Sequence, residues 1–446
     1  MGSTVGVLFL ALLSMFSLDR LSRCSVLTMD KNGRTKTFPE IGRAAYGQTG
    51  YVMAWFGMIA MSLGVTGSYV VFISSTLVEL TGFPSTVKGE SVNSADAAEW
   101  VVFILPLIIV LSWLRNVSTL AWTSSLGIAA LVTAVVVSTI DASEHGQNID
   151  VEWSRIHSSD EPATMPALSI NTYALFLGNA GYLYLISTAI LPITQSMSRP
   201  KEFHKSLMPS IVFVTVLNIF FGAFAAYRYG GIACDSNDHR MGSDLGCVKD
   251  NILKNMASDA LLTKIIKWGL VIDLLFTTIV FLFPINEALE NAIFGFETHE
   301  KDGDDDDGNV IKCLVLTSSD VESQNYASVS SSSSSSSHWI FSVEMWKRNI
   351  LRTLVAIAVS AVALGVPFFS LLTGLTGGFG NNILGFILPP LFYYKLRGKE
   401  YWYCSDGITR RHVWELIGLI VTFLFGLIFL ALTLVFFGME IAKQEK

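Results

Sequence analysis

TYALFLGNAGYLYLISTAILPITQ, residues 172–195, is the stretch that decides the fold. It contains no Asp, Glu, Lys or Arg. It also exceeds the about 20 apolar residues that a helix needs to cross the hydrocarbon core of a bilayer. Within it, Gly178-Asn179-Ala180-Gly181 interrupts the apolar run. Two glycines and an asparagine weaken a helix. Irregular backbone at that depth is tolerated only where it is buried in protein or lines a cavity. N–H groups freed at such a break can hold a carboxylate, and Tyr182 and Tyr184 follow directly as candidates to line a pocket. The same quartet also reads as close helix packing through small residues.

Nine further apolar spans surround this one, at approximately 2–18, 47–80, 100–114, 118–141, 206–228, 261–290, 347–368, 376–395 and 412–438. Composition agrees with lipid as the solvent. Of 446 residues, 51% are apolar and 15% charged, against roughly 25% charged in soluble proteins. That is too little charge to wet a surface of this size. Val5 to Leu18 has no cationic segment before it and no small-residue cleavage pattern after it, so it reads as a membrane helix and not a signal peptide. The fold class expected is therefore all-α integral membrane, with ten transmembrane helices in one domain, residues 1–446.

Cations in the short loops set the orientation. Loop 19–46 carries Arg20, Arg23, Lys31, Arg34, Lys36 and Arg43; loop 196–205 carries Arg199, Lys201 and Lys205; loop 395–411 carries Lys395, Arg397, Lys399, Arg410 and Arg411. These three are expected in the cytoplasm. Loops 83–99 and 142–171 hold only Lys88 and Arg155. Ten crossings then leave both termini on the opposite side. Cys234 and Cys247 fall on that side, where disulfides form. They are expected either to pair, closing a short loop worth about 3 kcal/mol, or to stay free thiols. Residues 295–346, with Asp304 to Asp307 and an unbroken run Ser330 to Ser337, cannot bury enough apolar area to order themselves. This acidic, serine-rich segment is expected to be a disordered cytoplasmic loop.

Two more features inside the spans bear on chemistry. Gly64-Val65-Thr66-Gly67-Ser68-Tyr69 allows close approach of a neighbour and offers the Thr66 and Tyr69 hydroxyls to a ligand; simple packing explains it equally well. Asp273 is the one acid well inside a span, with Thr277 one turn on. A carboxylate there is costly and often functional. It is protonated, paired with a ligand amine, or solvated toward the outer end. All seven histidines lie outside the spans or at their margins, removing the commonest proton relay. No CxxC or metal-ligand cluster, Walker loop or nucleophile–base arrangement is present, so no cofactor, metal or enzyme is expected. No basic patch suggests nucleic acid.

Several segments, in order, resemble the amino acid/auxin permease family, also called the transmembrane amino-acid transporter family. Phe38-Pro39-Glu40-Ile41-Gly42 with Ala44-Ala45-Tyr46-Gly47 is similar to the loop before that family's third helix. Gly67 to Ile73 resembles that helix. Leu191-Pro192, Met197, Pro200 and Phe203 resemble the exit of its sixth, and Pro284 and Glu287 its eighth. Val366-Pro367-Phe368, Gly377-Gly378-Phe379 and Leu388-Pro389-Pro390-Leu391-Phe392-Tyr393 resemble its ninth and tenth. The likeness covers nearly the whole chain outside the acidic and serine-rich insertion and is strongest to the proton-coupled and vacuolar branches.

The resemblance implies eleven helices in a five-plus-five inverted repeat, of which the ten spans correspond to the second to eleventh. It implies a secondary active transporter of small neutral amino acids, working by alternating access with H⁺ as the coupling ion. The membrane is vacuolar or lysosomal, or the plasma membrane. The substrate site falls at Gly178, Asn179, Ala180, Gly181 and Tyr182, with Thr66, Tyr69 and Thr277 lining it and Asp273 in ion coupling. The family's first helix, half of that site, has no counterpart, which is expected from an incomplete start to the sequence. Two departures bear on coupling. Met15 to Leu21 lacks the histidine of the proton-coupled branch, and Leu185-Ile186 stands where that branch carries Glu-Gly. A non-transporting amino-acid sensor and an inactive, N-terminally truncated product are the rival readings.

Overall fold

The computed structural model describes residues 2–29, 36–83, 94–114, 129, 131–140, 170–187, 190–191, 194, 202–229, 232–233, 247–248, 261–294, 343–366, 369–402 and 410–444. Its helices are α1 (Gly2–Leu27), α2 (Phe38–Thr81), α3 (Ser94–Ser112), α4 (Leu131–Ile140), α5 (Ile170–Tyr182), α6 (Phe203–Tyr229), α7 (Leu261–Phe294), α8 (Val343–Gly365) and α9 (Phe369–Leu375). Two π-helical segments, Thr376–Asn381 and Ile383–Ile387, follow α9 and lead into α10 (Leu388–Trp402); α11 (Arg410–Gln444) comes last. Two short strands, β1 (Ile232–Ala233) and β2 (Cys247–Val248), pair in parallel with Ile232 opposite Cys247. Among the described residues, seven helices are long and apolar enough to cross a membrane, with α9 to α10 counted as one; the apolar stretches Ala97–Ser112 and Leu131–Ile140 are shorter.

Each predicted span overlaps one of these helices, but the boundaries move. α1 continues nine residues beyond 18, so Arg20 and Arg23 are helical and not in a loop. Their charges are held by partners that sequence distance hides. Arg20 bonds Glu415 and lies 3.3 Å from the Tyr393 hydroxyl, and Arg23 pairs with Asp19 at 2.9 Å. Arg43 is likewise helical. It sits in the opening turns of α2, where Glu40 accepts the Thr37 N–H at 2.8 Å. That opening segment meets the rest of α2 at a kink, Tyr46–Gly47. Gly47 has φ 62°, which only glycine adopts without strain. The membrane-crossing part therefore starts at the residue where hydropathy placed it. Of the 295–346 insertion, Val343 to Trp346 belong to α8, and 295–342 lie outside the described residues, as does Cys234.

α2 and the α9–α10 run are the most buried elements. One core cluster joins α1, α2, α5, α6, α10 and α11; a second joins α2, α3, α7, α8 and α9. Large apolar side chains cover the outside: Phe103, Phe213 and Trp414 are 74, 68 and 72% exposed. On a soluble protein such patches would drive aggregation; facing lipid, they are solvated. Buried charges occur in pairs near span ends, Lys267 with Glu79 at 2.9 Å and Arg352 with Glu290 at 2.6 Å.

Candidate functional site

α5 stops at Tyr182, and residues 183–186 are not helical before helical geometry resumes at Ser187. The interruption expected inside Gly178–Gly181 thus falls directly after it. The quartet stays helical because a seam clamps it. A Cβ on Gly178 would lie 2.4 Å from the Gly374 carbonyl oxygen, and one on Gly377 would lie 2.0 Å from that of Gly178. Only two glycine backbones can approach so closely, so the packing role of the quartet is realised. Asn381, in the first π-helical segment, donates from Nδ2 to the Gly181 carbonyl at 2.8 Å, capping the end of α5. Its Oδ1 accepts from Ser187, at the start of the resumed helix, at 3.2 Å. One amide therefore holds both sides of the break.

Across the break the Gly181 and Tyr182 carbonyls accept from the Tyr184 and Leu185 N–H groups, each at 3.3 Å, and the Tyr184 carbonyl accepts from Ile186 at 2.9 Å. The carbonyl end of a helix carries partial negative charge. The wide turns of the facing π-helical segments are a common mark of functional sites. Asn382, between them, is fully buried; its Nδ2 donates to Gly426, and its Oδ1 has no hydrogen-bond partner.

Tyr182 points its hydroxyl at Ser68 of α2, 2.9 Å away. Ser68 spends its proton on the Val65 carbonyl at 2.7 Å, so Tyr182 is the donor. Tyr69 and Tyr182 both pack against the core cluster that joins α1, α2, α5, α6, α10 and α11. The Tyr69 ring packs edge-on against Phe281 of α7, centroids 5.9 Å apart. Asp273, Thr277 and Phe281 are spaced four residues apart and so share a face of α7. Thr277 lies 3.5 Å from Asp273 Oδ1. Asp273 is only partly buried. It stands twelve residues into α7, about 18 Å along the helix axis.

The structure thus ties Tyr182 to α2 through Ser68 and sets Tyr69 against Phe281 of α7, the helix that carries Asp273 and Thr277. It places the other predicted residues differently. Asn179 is bonded into α9, with Thr373 Oγ1 2.6 Å from its Oδ1 and Ser370 3.3 Å from its Nδ2. Ala180 is buried in the core cluster around α1, α2, α5, α10 and α11. Thr66 is wholly buried, and its hydroxyl donates back to the Ser62 carbonyl at 2.6 Å. Ser68, Phe281, Asn381 and Ser187 were missed from sequence. The Asn381–Asn382 pair inside a Gly-rich apolar span was a readable signal; Ser68 and Ser187 were not, because their partners are remote in sequence.

The comparisons bear on what such a polytopic membrane protein is. The family model described as transmembrane amino acid transporter protein matches residues 1–436, and the chain belongs to that family. The family is not an enzymatic one. The amino acid transporter AVT1B of Arabidopsis thaliana is 22% identical over 83% of this chain and 56% of its own length. The vacuolar amino acid transporter 4 of Saccharomyces cerevisiae is 24% identical over 58% of this chain and 32% of its own length. The chain thus spans from a third to a little over half of these relatives. Among solved structures, a Na⁺-coupled sialic acid symporter overlaps 97% of this chain and 89% of its own at 13% identity, with a TM-score of 0.46. That overlap is too slight to fix the helix arrangement.

Proposed function

We propose that the protein is a secondary active transporter of small neutral amino acids, in a vacuolar, lysosomal or plasma membrane. The observation that carries this reading is the break at residues 183–186, held on both sides by Asn381. Carbonyls from the end of α5 suit a substrate ammonium, and N–H groups of the resumed segment suit its carboxylate. Tyr69, Tyr182 and Thr277 line the space beside it, with Gly178, Asn179, Ala180, Gly181 and Thr66 supporting that wall. Asp273 carries the coupling proton, and the helices work by alternating access on a five-plus-five inverted repeat. The pairing of Cys234 with Cys247 belongs to the same reading, because it places both on the non-cytoplasmic face. A free-thiol count on denatured, unreduced protein tests it, and five free thiols would contradict it.

Uptake of labelled alanine into proteoliposomes tests the transport reading, with wild type and Gly181→Val compared. A Cβ at Gly181 already sits 3.3 Å from Phe429 and 3.4 Å from the Gly377 carbonyl, so valine's extra methyls distort the break. Wild type accumulates alanine and the variant does not. Alanine binding without flux in the wild type favours a sensor, and wild-type flux in Gly181→Val removes the α5 break from the site.

A further inference from the structure

Three helices meet in one charged cluster. Arg20 of α1 bonds Glu415 of α11 and lies 3.3 Å from the hydroxyl of Tyr393 in α10. That hydroxyl donates to Glu415 at 2.9 Å and accepts from Arg397 Nε at 3.0 Å. The Arg20 guanidinium also lies over the Phe16 and Tyr393 rings, 4.8 and 5.1 Å from their centroids. Tyr393 is wholly buried, and the side chains of Arg20 and Glu415 are only 12 and 8% exposed. Yet Arg20 Nε is buried without a hydrogen-bond partner, the one guanidinium nitrogen so placed among the described residues. Arg352, by contrast, bonds Glu290 through its Nε and two carbonyls through Nη1. A buried donor left unpaired carries a desolvation cost that water removes. The Arg20 tie is therefore less secure than the Arg352 tie, because hydrating it satisfies a donor that the closed form leaves empty.

We propose that Arg20, Tyr393 and Glu415 form a lock that seals the cytoplasmic side of the α5 break and parts once in each transport cycle. The inference rests on the transport reading given above. The loop cations put this cluster at the cytoplasmic end of the molecule. A chain of hydrogen bonds links it to the break. Ser17, three residues before Arg20, donates to the Gly385 carbonyl in the second π-helical segment. Asn381, four residues before Gly385, holds both sides of the break. A shift of the π-helical run as solute enters or leaves therefore pulls on α1 at Ser17, beside the lock. Water admitted from the cytoplasm then solvates Arg20 and Glu415, which offsets the lost ion pair. Closed and open forms of such a tie lie near enough in free energy for solute to choose between them.

Cys24, wholly buried one turn beyond Arg20, is the reporter. In the full chain the other cysteines, Cys234, Cys247, Cys313 and Cys404, are replaced by serine. This parent is reconstituted in proteoliposomes, and alkylation of Cys24 by N-ethylmaleimide is timed with and without alanine, beside alanine uptake. In the parent Cys24 reacts slowly, and alanine speeds the reaction several-fold as cycling opens the lock. Tyr393→Phe keeps the ring, and the double variant Arg20→Gln, Glu415→Gln strands no charge. Each speeds the alanine-free reaction about tenfold, the worth of one charge-assisted hydrogen bond, and alanine then adds nothing. The double variant Glu290→Gln, Arg352→Gln loosens the frame elsewhere and leaves the Cys24 rate and its alanine response as in the parent. A parent that takes up alanine while its Cys24 rate ignores alanine overturns the lock alone. So does an unchanged rate in both lock variants, or an equal acceleration in the Glu290 and Arg352 variant. A parent and native chain that take up no alanine overturn it together with the transport reading.

Discussion

Tyr182 bonds Ser68 through its hydroxyl, joining the end of α5 to α2. Tyr182→Phe removes that link while keeping the ring. Ser68 keeps its bond to Val65, so the loss is about 1 kcal/mol of stability, read as a lower unfolding midpoint in detergent. Asp273→Asn is the sharper probe. If this carboxyl carries the coupling proton, the variant still binds alanine but loses the stimulation of uptake by an imposed pH gradient, a drop of roughly tenfold or more, or about 1.4 kcal/mol. Gradient-driven uptake at the wild-type level removes Asp273 from coupling. Asp273 and the tyrosines were legible because polar groups stand out in apolar spans. The role of Ser68 was not, since its partner lies 114 residues away.

At the level of elements, the α5 break shows what a sequence conveys and what it hides. Gly178 to Gly181 marked the right helix, yet the chain unwinds only after Tyr182. A local weakness becomes a break only where nothing else holds the backbone, and Gly374, Gly377 and Asn381 hold the quartet. Gly178→Ala therefore costs about 1–3 kcal/mol, because the atoms it meets are backbone and cannot swing aside. Gly222→Ala in α6 meets nothing within 4 Å and stabilises by about 0.5–1 kcal/mol. Thermal unfolding of the two variants in parallel checks both signs. The end of α1 was misread for a similar reason. Arg20 resembles a loop residue until Glu415, 395 residues away, is seen to neutralise it.

For the whole molecule, hydropathy marked ten apolar spans, against seven helices among the described residues that are long and apolar enough to cross a membrane. The ties between span ends came only from the structure. Arg352 illustrates them: it donates to Glu290 at 2.6 Å and to the Ser112 and Leu114 carbonyls at 2.9 and 3.1 Å, joining α7 and α8 to the end of α3. Glu290→Gln strands that buried cation and costs about 3–5 kcal/mol. Glu202→Ala, which breaks the exposed pair with Lys205, changes stability by less than about 1 kcal/mol. Denaturant titration in mixed micelles separates the two. These ties rigidify the frame around an unwound segment, and the account depends on that segment meeting solute. The most direct measurement places one cysteine at the break, Ile186→Cys, in a chain whose five native cysteines are replaced. The reconstituted protein is then labelled with a membrane-impermeant thiol reagent. The account predicts that the cysteine reacts and that alanine slows the reaction. A cysteine that never reacts, or reacts equally with and without any neutral amino acid, contradicts it.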